Sequence, residues 1–247
     1  MPDRILLISE KGHLYLDRDK DINTEFGIIT SKQLKKAKVG SVIKTHTGNK
    51  FFVADATYPD LIRKITRLPQ IIMLKDMGSI VVYLGIKSTS KVLDAGTGSG
   101  VAACIFGSVA NQGSVLTYEM RKDFIKVAKK NIELFGLKNV KIINSDIREG
   151  PKQKNFDAAL IDIPDPWNAL KNVFPSLKPG ARIATYSPSI IQIEKTLRSL
   201  PQGLRVERLI QANEIDWKVD VERDILRPES SSIVHTAFLL FMRKVGR

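Results

Sequence analysis

The chain has 247 residues, 43% hydrophobic and 26% charged, enough apolar material for one large domain or a medium domain with a small companion. Its single cysteine, Cys104, excludes an intrachain disulfide and a cysteine-rich zinc site, and no apolar run is long enough to span a membrane. Lys plus Arg number 39 against 26 for Asp plus Glu, a net charge of +13 that no tail concentrates, and a basic body suits a polyanion, most simply nucleic acid.

Residues 1–58 carry short apolar stretches, "RILLIS", "HLYLD", "FGIIT", "SVIKTHT" and "KFFVAD", separated by Gly, Asp, Asn and Lys clusters. Such a pattern predicts short strands and tight turns, hence a small β-barrel-like domain, with one helical turn or a loop at "TSKQLKKAKVG". "YPDLIRKITRLPQ", residues 58–70, reads as a helix with Pro59 near its start and Pro69 beyond its end, within a linker spanning residues 59–74. From there to residue 247 the chain alternates. "SIVVYLGI" predicts a helix, "KVLDAG" a strand, "VAACIFGSVA" a helix, "SVLTYE" a strand and "RKDFIKVAKKNIELFG" an amphipathic helix closed by Gly136. "VKIINSD" and "FDAALIDI" follow as strands, then "PWNALKNVFPSL" as a helix, "ARIATYS" as a strand and "SIIQIEKTLRSL" as a helix. Alternation of this kind implies a parallel, doubly wound α/β sheet. "LRVERLIQANEIDWKV" and "SSIVHTAFLLFMRK" predict two final strands joined by a long polar connection, an antiparallel pair at the sheet edge.

"VLDAGTGSGVAA" occupies the first strand-to-helix turn of this sheet. Its alternating Gly96, Gly98 and Gly100 let the backbone turn sharply and approach a ligand, and the next helix aims its first amides into the same crevice. The loop is one residue short of the dinucleotide fingerprint, and it carries an acid, Asp94, that would repel a pyrophosphate but accept from an ammonium. Glu119 ends the second strand, suited to ribose hydroxyls, and Asp146 ends the third, suited to an adenine amine. Acids at successive strand C-termini lie where open α/β sheets bind ligands. An amino acid at one end and an adenosine at the other describe S-adenosylmethionine. The candidate donor site is Asp94, Gly96, Thr97, Gly98, Ser99, Gly100, Glu119, Asp146 and Asp162.

"VLDAGTGSG", "TYEMRKDF", "DIPDPW", "YSPSIIQ" and "HTAFLLF", in that order behind a basic β-domain with "KTHTGNKFFV", resemble the tRNA (adenine-N1)-methyltransferases that modify the T-loop. The resemblance covers roughly residues 75–245. It implies a Rossmann-like class I methyltransferase domain of seven strands with an antiparallel C-terminal pair, S-adenosylmethionine as cofactor, tRNA as substrate and a homotetramer in the cytoplasm. It leaves open whether one adenine or two adjacent ones are modified. One segment departs from the family: "IIMLKD" has Met73 and Leu74 where relatives commonly carry an aromatic and a proline, while Lys75 and Asp76 are kept. Met73 then meets the base through sulfur–π and apolar contact.

"DIPDPW" ends the fourth strand, beside the glycine-loop strand, which puts Asp162 next to the donor as the candidate catalytic residue. An acceptor at the exocyclic amine of adenine draws off its proton and raises the electron density on N1. Pro164 and Pro166 stiffen the turn and offer an apolar wall to an extruded base, Asp165 is the better helix cap, and Trp167 is a packing anchor. Lys35, Lys36, Lys38, Arg63, Lys64 and Arg67 are candidate phosphate contacts, with His46 and His235 assigned to packing. A protein isoaspartyl methyltransferase would share the glycine loop but has less use for the basic β-domain. A non-catalytic RNA-binding subunit would have no need of the complete set of donor-side acids.

Overall fold

The computed structural model describes residues 5–10, 12, 14–16, 20–68, 70–230 and 235–246. His13, Pro69 and the first four residues of "SSIVHTAFLLFMRK" lie outside the described residues. The chain divides into two compact units, one running to Ile65 together with Leu134–Gly136, the other comprising Thr66–Glu133 and the chain from Leu137 onward. The division falls inside the expected linker.

In the first unit, β1 (Ile5–Ser9), β2 (Leu14–Leu16), β5 (Val42–Lys44) and β6 (Lys50–Asp55) form an antiparallel sheet in the order β2-β1-β6-β5. A separate hairpin of β3 (Ile22–Thr24) and β4 (Gly27–Ile29) and the short α1 (Ser31–Lys36) pack on the same core. That core holds Leu34 of α1 and the inward strand residues Ile5, Leu7, Ile22, Ile29, Phe51 and Val53. Thr30 caps α1 with Gln33 in a capping box, which settles a segment that reads as either helical turn or loop. The His46 ring accepts from the Ile28 amide, a structural bond consistent with a packing role.

The expected linker helix is only α2 (Tyr58–Ile62). Beyond it, the Thr66 amide and carbonyl pair with the Asn131 side chain, and the Leu68 amide donates to Ser99 Oγ. Side chains thus take the backbone groups that a continuing helix would need.

The second unit is a seven-stranded sheet in the order β12-β15-β11-β10-β7-β8-β9. Its strands are β7 (Lys91–Ala95), β8 (Ser114–Glu119), β9 (Val140–Asn144), β10 (Phe156–Ile161), β11 (Leu177–Ser187), β12 (Leu204–Ile210) and β15 (Phe238–Lys244). β7 to β11 are mutually parallel, and β15 runs antiparallel between β11 and β12, so the Rossmann-like sheet and its antiparallel C-terminal pair stand as expected. The intervening helices are α3 (Leu74–Leu84), α4 (Val101–Val109), α5 (Lys122–Phe135), α6 (Pro166–Val173) and α7 (Ile190–Arg198). "LRVERLIQANEIDWKV" is not one strand: it breaks after Ile210, and Trp217–Asp220 (β13) pairs with Ile225–Pro228 (β14) in a hairpin inside the polar connection. The intervening "QANEID" lacks the apolar alternation that a sheet strand needs.

Strand register decides what shares a face. Asp94 pairs with Thr117 on one side and Leu160 on the other, and Leu160 pairs with Ala184. Two residues on, at the strand C-termini, come Glu119, Asp162 and Tyr186, so all of these fall on one face. The other face carries Leu93, Ala95, Ile161, Ile183 and Leu240 into the main core.

Candidate functional site

Asp94 is fully buried near the end of the central strand. Its Oδ2 accepts from Thr117 Oγ1 at 2.6 Å, and Thr97 Oγ1 lies 2.6 Å from the same hydroxyl. Asp94 Oδ1 is the only buried carboxylate oxygen without a partner among the described residues. A buried, unmatched acceptor is costly in a finished structure, so this oxygen fits a ligand cation. Burial pushes the Asp94 carboxyl up to about 7; the Thr117 bond opposes that and the Glu119 charge adds to it.

The loop after β7 turns through Gly96, Gly98 and Gly100, all at positive φ. A Cβ at Gly96 would lie 1.8 Å from the Asp162 carbonyl oxygen, so this position admits only glycine. At Gly98 a Cβ would meet nothing nearer than 3.8 Å, which leaves open space above the loop. Thr97 and Ser99 are buried and already bonded, Thr97 to Thr117 and Ser99 Oγ to the Leu68 amide. As donor-site candidates they offer backbone, while their side chains fix the loop.

Glu119 accepts from the Gly98 amide through one oxygen and from the Arg121 amide through the other, tying its carboxylate to the glycine loop. Asp146 caps a 3-10 turn, and Arg148 holds its carboxyl below the usual carboxylate range through side-chain hydrogen bonds. Arg148 also reaches Asp165 at 3.1 Å.

Asp162 follows β10 directly, its amide donating to the Ala95 carbonyl at 2.7 Å. Its half-buried carboxylate has no hydrogen-bond partner among the described residues. Burial and the Asp94 charge push it up to about 7. The two carboxyls therefore resist ionising together. The turn beyond is held by Gln192, whose Nε2 donates to the Pro164 carbonyl. The two prolines differ: Pro164 is exposed, whereas Pro166 is buried as the first residue of α6, where its missing N–H costs nothing. Of the two, only Pro164 leaves apolar surface open at the turn. Asp165 holds the N-cap position of α6 but makes no capping bond; its side chain takes Arg148 and Asn168 instead. Trp167 is half-buried with Lys195 Nζ 5.1 Å from its ring centroid.

On the same sheet face stands a group that no motif reading assigned a role. Asp76, fully buried in the first turn of α3, accepts from Lys75, Thr236 and Tyr186. Its members come from "IIMLKD", "YSPSIIQ" and "HTAFLLF", and their presence in three separate motifs is the signal that joins them. Met73 is half-buried at the N-cap of α3. Arg67, like Met73, belongs to the second unit, while Lys35, Lys36, Lys38, Arg63 and Lys64 belong to the first; all six basic residues are exposed.

A family model of the tRNA methyltransferase complex GCD14 subunit matches residues 57–223. The chain belongs to this family. Among the family's relatives, the tRNA (adenine(57)-N(1)/adenine(58)-N(1))-methyltransferase TrmI of Methanocaldococcus jannaschii is 29% identical over 96% of this chain and 94% of its own. The crystal structure of the tRNA (m1A58) methyltransferase TrmI of Aquifex aeolicus superposes with a TM-score of 0.77 at 29% identity, covering 99% of this chain and 97% of that one. A structure described as an S-adenosylmethionine-dependent O-methyltransferase of Thermotoga maritima superposes with a TM-score of 0.84 at 34% identity, covering 99% and 94%. Among the described residues of this family member, no helix is long and apolar enough to cross a membrane, and no His, Cys, Asp and Glu side chains cluster as a metal site.

Proposed function

We propose that the chain methylates N1 of an adenine in the T-loop of tRNA, at position 58 as in the names of its relatives, with S-adenosylmethionine as donor. The observation that carries this reading is the free Asp162 carboxylate at the end of β10, beside Asp94 and the glycine loop. The donor, when bound, supplies an electrophilic methyl group on a positive sulfonium. Asp94 Oδ1 accepts from its ammonium, the open space at Gly98 lets it approach the loop backbone, Glu119 holds the ribose hydroxyls and Asp146 the adenine amine. Asp162 accepts a proton of the target amine, which raises the nucleophilicity of N1. Deprotonation of the amine or a positive product both suit a carboxylate there.

N1 is hidden in a folded T-loop, so the target base is extruded, with Pro164 and Met73 as apolar contacts. Lys35, Lys36, Lys38, Arg63, Lys64 and Arg67 contact phosphates and offset that cost. The β-domain before residue 58 serves RNA binding, the chain from about residue 75 serves methyl transfer, and the protein works in the cytoplasm as a homotetramer. The exposed Trp217, Val219, Val221 and Leu226 about the β13–β14 hairpin offer an apolar face for another copy.

Incubation of the purified chain with labelled S-adenosylmethionine and either unmodified tRNA or aged isoaspartyl peptides tests the reading. Label is expected in tRNA alone. Label in the peptide favours the isoaspartyl alternative, label as a 2′-O-methyl group favours O-methylation, and donor binding without transfer favours a non-catalytic subunit.

A further inference from the structure

The Lys75–Asp76 pair is fully matched. Lys75 Nζ donates to Asp76 Oδ1 at 2.9 Å, to the Ala212 carbonyl at 2.7 Å and to Thr236 Oγ1 at 2.7 Å. Thr236 Oγ1 in turn donates to Asp76 Oδ2 at 2.7 Å, and the Tyr186 hydroxyl donates to the same oxygen at 3.3 Å. Both charges are out of solvent, with 7% of the Lys75 side chain and none of the Asp76 side chain exposed. Burying an ion pair is not an efficient way to stabilise a fold, since apolar groups of similar volume do as well or better. Its position points to another use.

α3 packs on β11 and β15, and the pair therefore reaches the sheet face that bears Asp94 and Asp162. Tyr186 is two residues beyond Ala184, and Asp162 two beyond Leu160, its parallel partner. The phenol and the free carboxylate thus project from neighbouring strand ends on one face. Burial, with the charges of Asp76 and Asp162, holds the Tyr186 phenol well above its ordinary value, so it keeps its proton. A phenol has one proton to donate. Here that proton is committed to Asp76, which leaves only the lone pairs of the oxygen to face outward.

We propose that Asp76, with Lys75 as its counter-charge and Thr236 as its brace, is a positioning residue that turns the Tyr186 hydroxyl into a pure acceptor beside Asp162. An exocyclic amine carries two N–H groups, and the site then offers two acceptors, one carboxylate and one phenol oxygen. A carbonyl at the same ring position would face two acceptors and be repelled. The pair thereby sets selectivity for an amino-substituted base. This rests on the adenine reading above.

The test is a mutant cycle in single-turnover transfer to tRNA. Tyr186→Phe is combined with the paired replacement Lys75→Met/Asp76→Leu, which removes both charges together and leaves neither buried alone. Tyr186→Phe is expected to lower transfer about tenfold, the worth of one hydrogen bond, with donor affinity by calorimetry unchanged. The paired replacement is expected to lower it about as much, and the triple variant no further. A triple variant whose losses multiply, or a paired variant at the wild-type rate, overturns the inference. If the paired variant does not bind donor, Asp76→Asn takes its place; it is expected to show a smaller loss and the same non-additivity with Tyr186→Phe, and multiplied losses again overturn the inference. Wild-type protein that labels tRNA elsewhere than on an adenine N1 would instead remove the reading on which it rests.

Discussion

Asp162→Asn separates two consequences of one carboxylate. The substitution keeps the size of the side chain and one acceptor oxygen but removes the charge and the ability to take a proton. Transfer should fall on the order of a hundred- to ten-thousand-fold, the usual contribution of a positioned general base, while donor affinity changes little, because the group acts mainly in the transition state. Stability should move the other way. The Asp162 carboxyl stands at about 7 in the folded chain against an ordinary 3.8, so between these values the folded state binds more protons than the unfolded state. The stabilisation is complete below 3.8 and is lost as pH rises through 7. A displacement of that size corresponds to about 4 kcal/mol at most; solvent reaching the half-buried carboxylate reduces it to about 1–2 kcal/mol. Asp162→Asn should therefore be more stable than the wild type at pH 8 and close to it at pH 4, as read by urea unfolding. Near-wild-type single-turnover transfer by Asp162→Asn would refute the catalytic assignment. Equal stability differences at both pH values would refute the electrostatic one.

In the wild type, kcat/KM should rise with pH through about 7, an apparent value belonging to the Asp94–Asp162 pair, and a profile flat between pH 6 and 8 would contradict the pairing. Glu119→Ala should weaken donor binding by about 1–3 kcal/mol in calorimetry, since it removes a charged acceptor and frees the Gly98 amide; unchanged affinity would mean that the ribose is held elsewhere. tRNA binding should weaken steeply between low and moderate salt in filter-binding titrations. A shallow slope would take the RNA surface away from the basic residues.

The placement of Asp94, Glu119, Asp146 and Asp162 at strand ends is readable in the sequence, because strand–helix alternation fixes where strands end, and parallel strands end at one edge. That the Thr97 and Ser99 hydroxyls are bonded to Thr117 and to the Leu68 amide is not readable in the sequence, because a glycine loop reveals its backbone path and not which neighbours its hydroxyls meet. Pro164 and Pro166 look equivalent until a helix begins between them and buries the second. Tyr186 and Thr236 lie more than a hundred residues from the Asp76 they serve, a pairing that only the sheet order of β11 and β15 creates. The β13–β14 hairpin is hidden because its strands are only four residues long and mostly exposed, with no buried face to mark them.

The central claim is methylation of adenine N1 in tRNA, and the most direct measurement is nuclease mapping with mass spectrometry of unmodified tRNA treated with the purified chain and S-adenosylmethionine. A methyl group is predicted on the T-loop adenine at position 58, alone or together with the adjacent adenine at 57, released as 1-methyladenosine and missing after treatment with Asp162→Asn. A methyl group on a ribose oxygen, on a base other than these, or on no nucleotide at all would contradict the account.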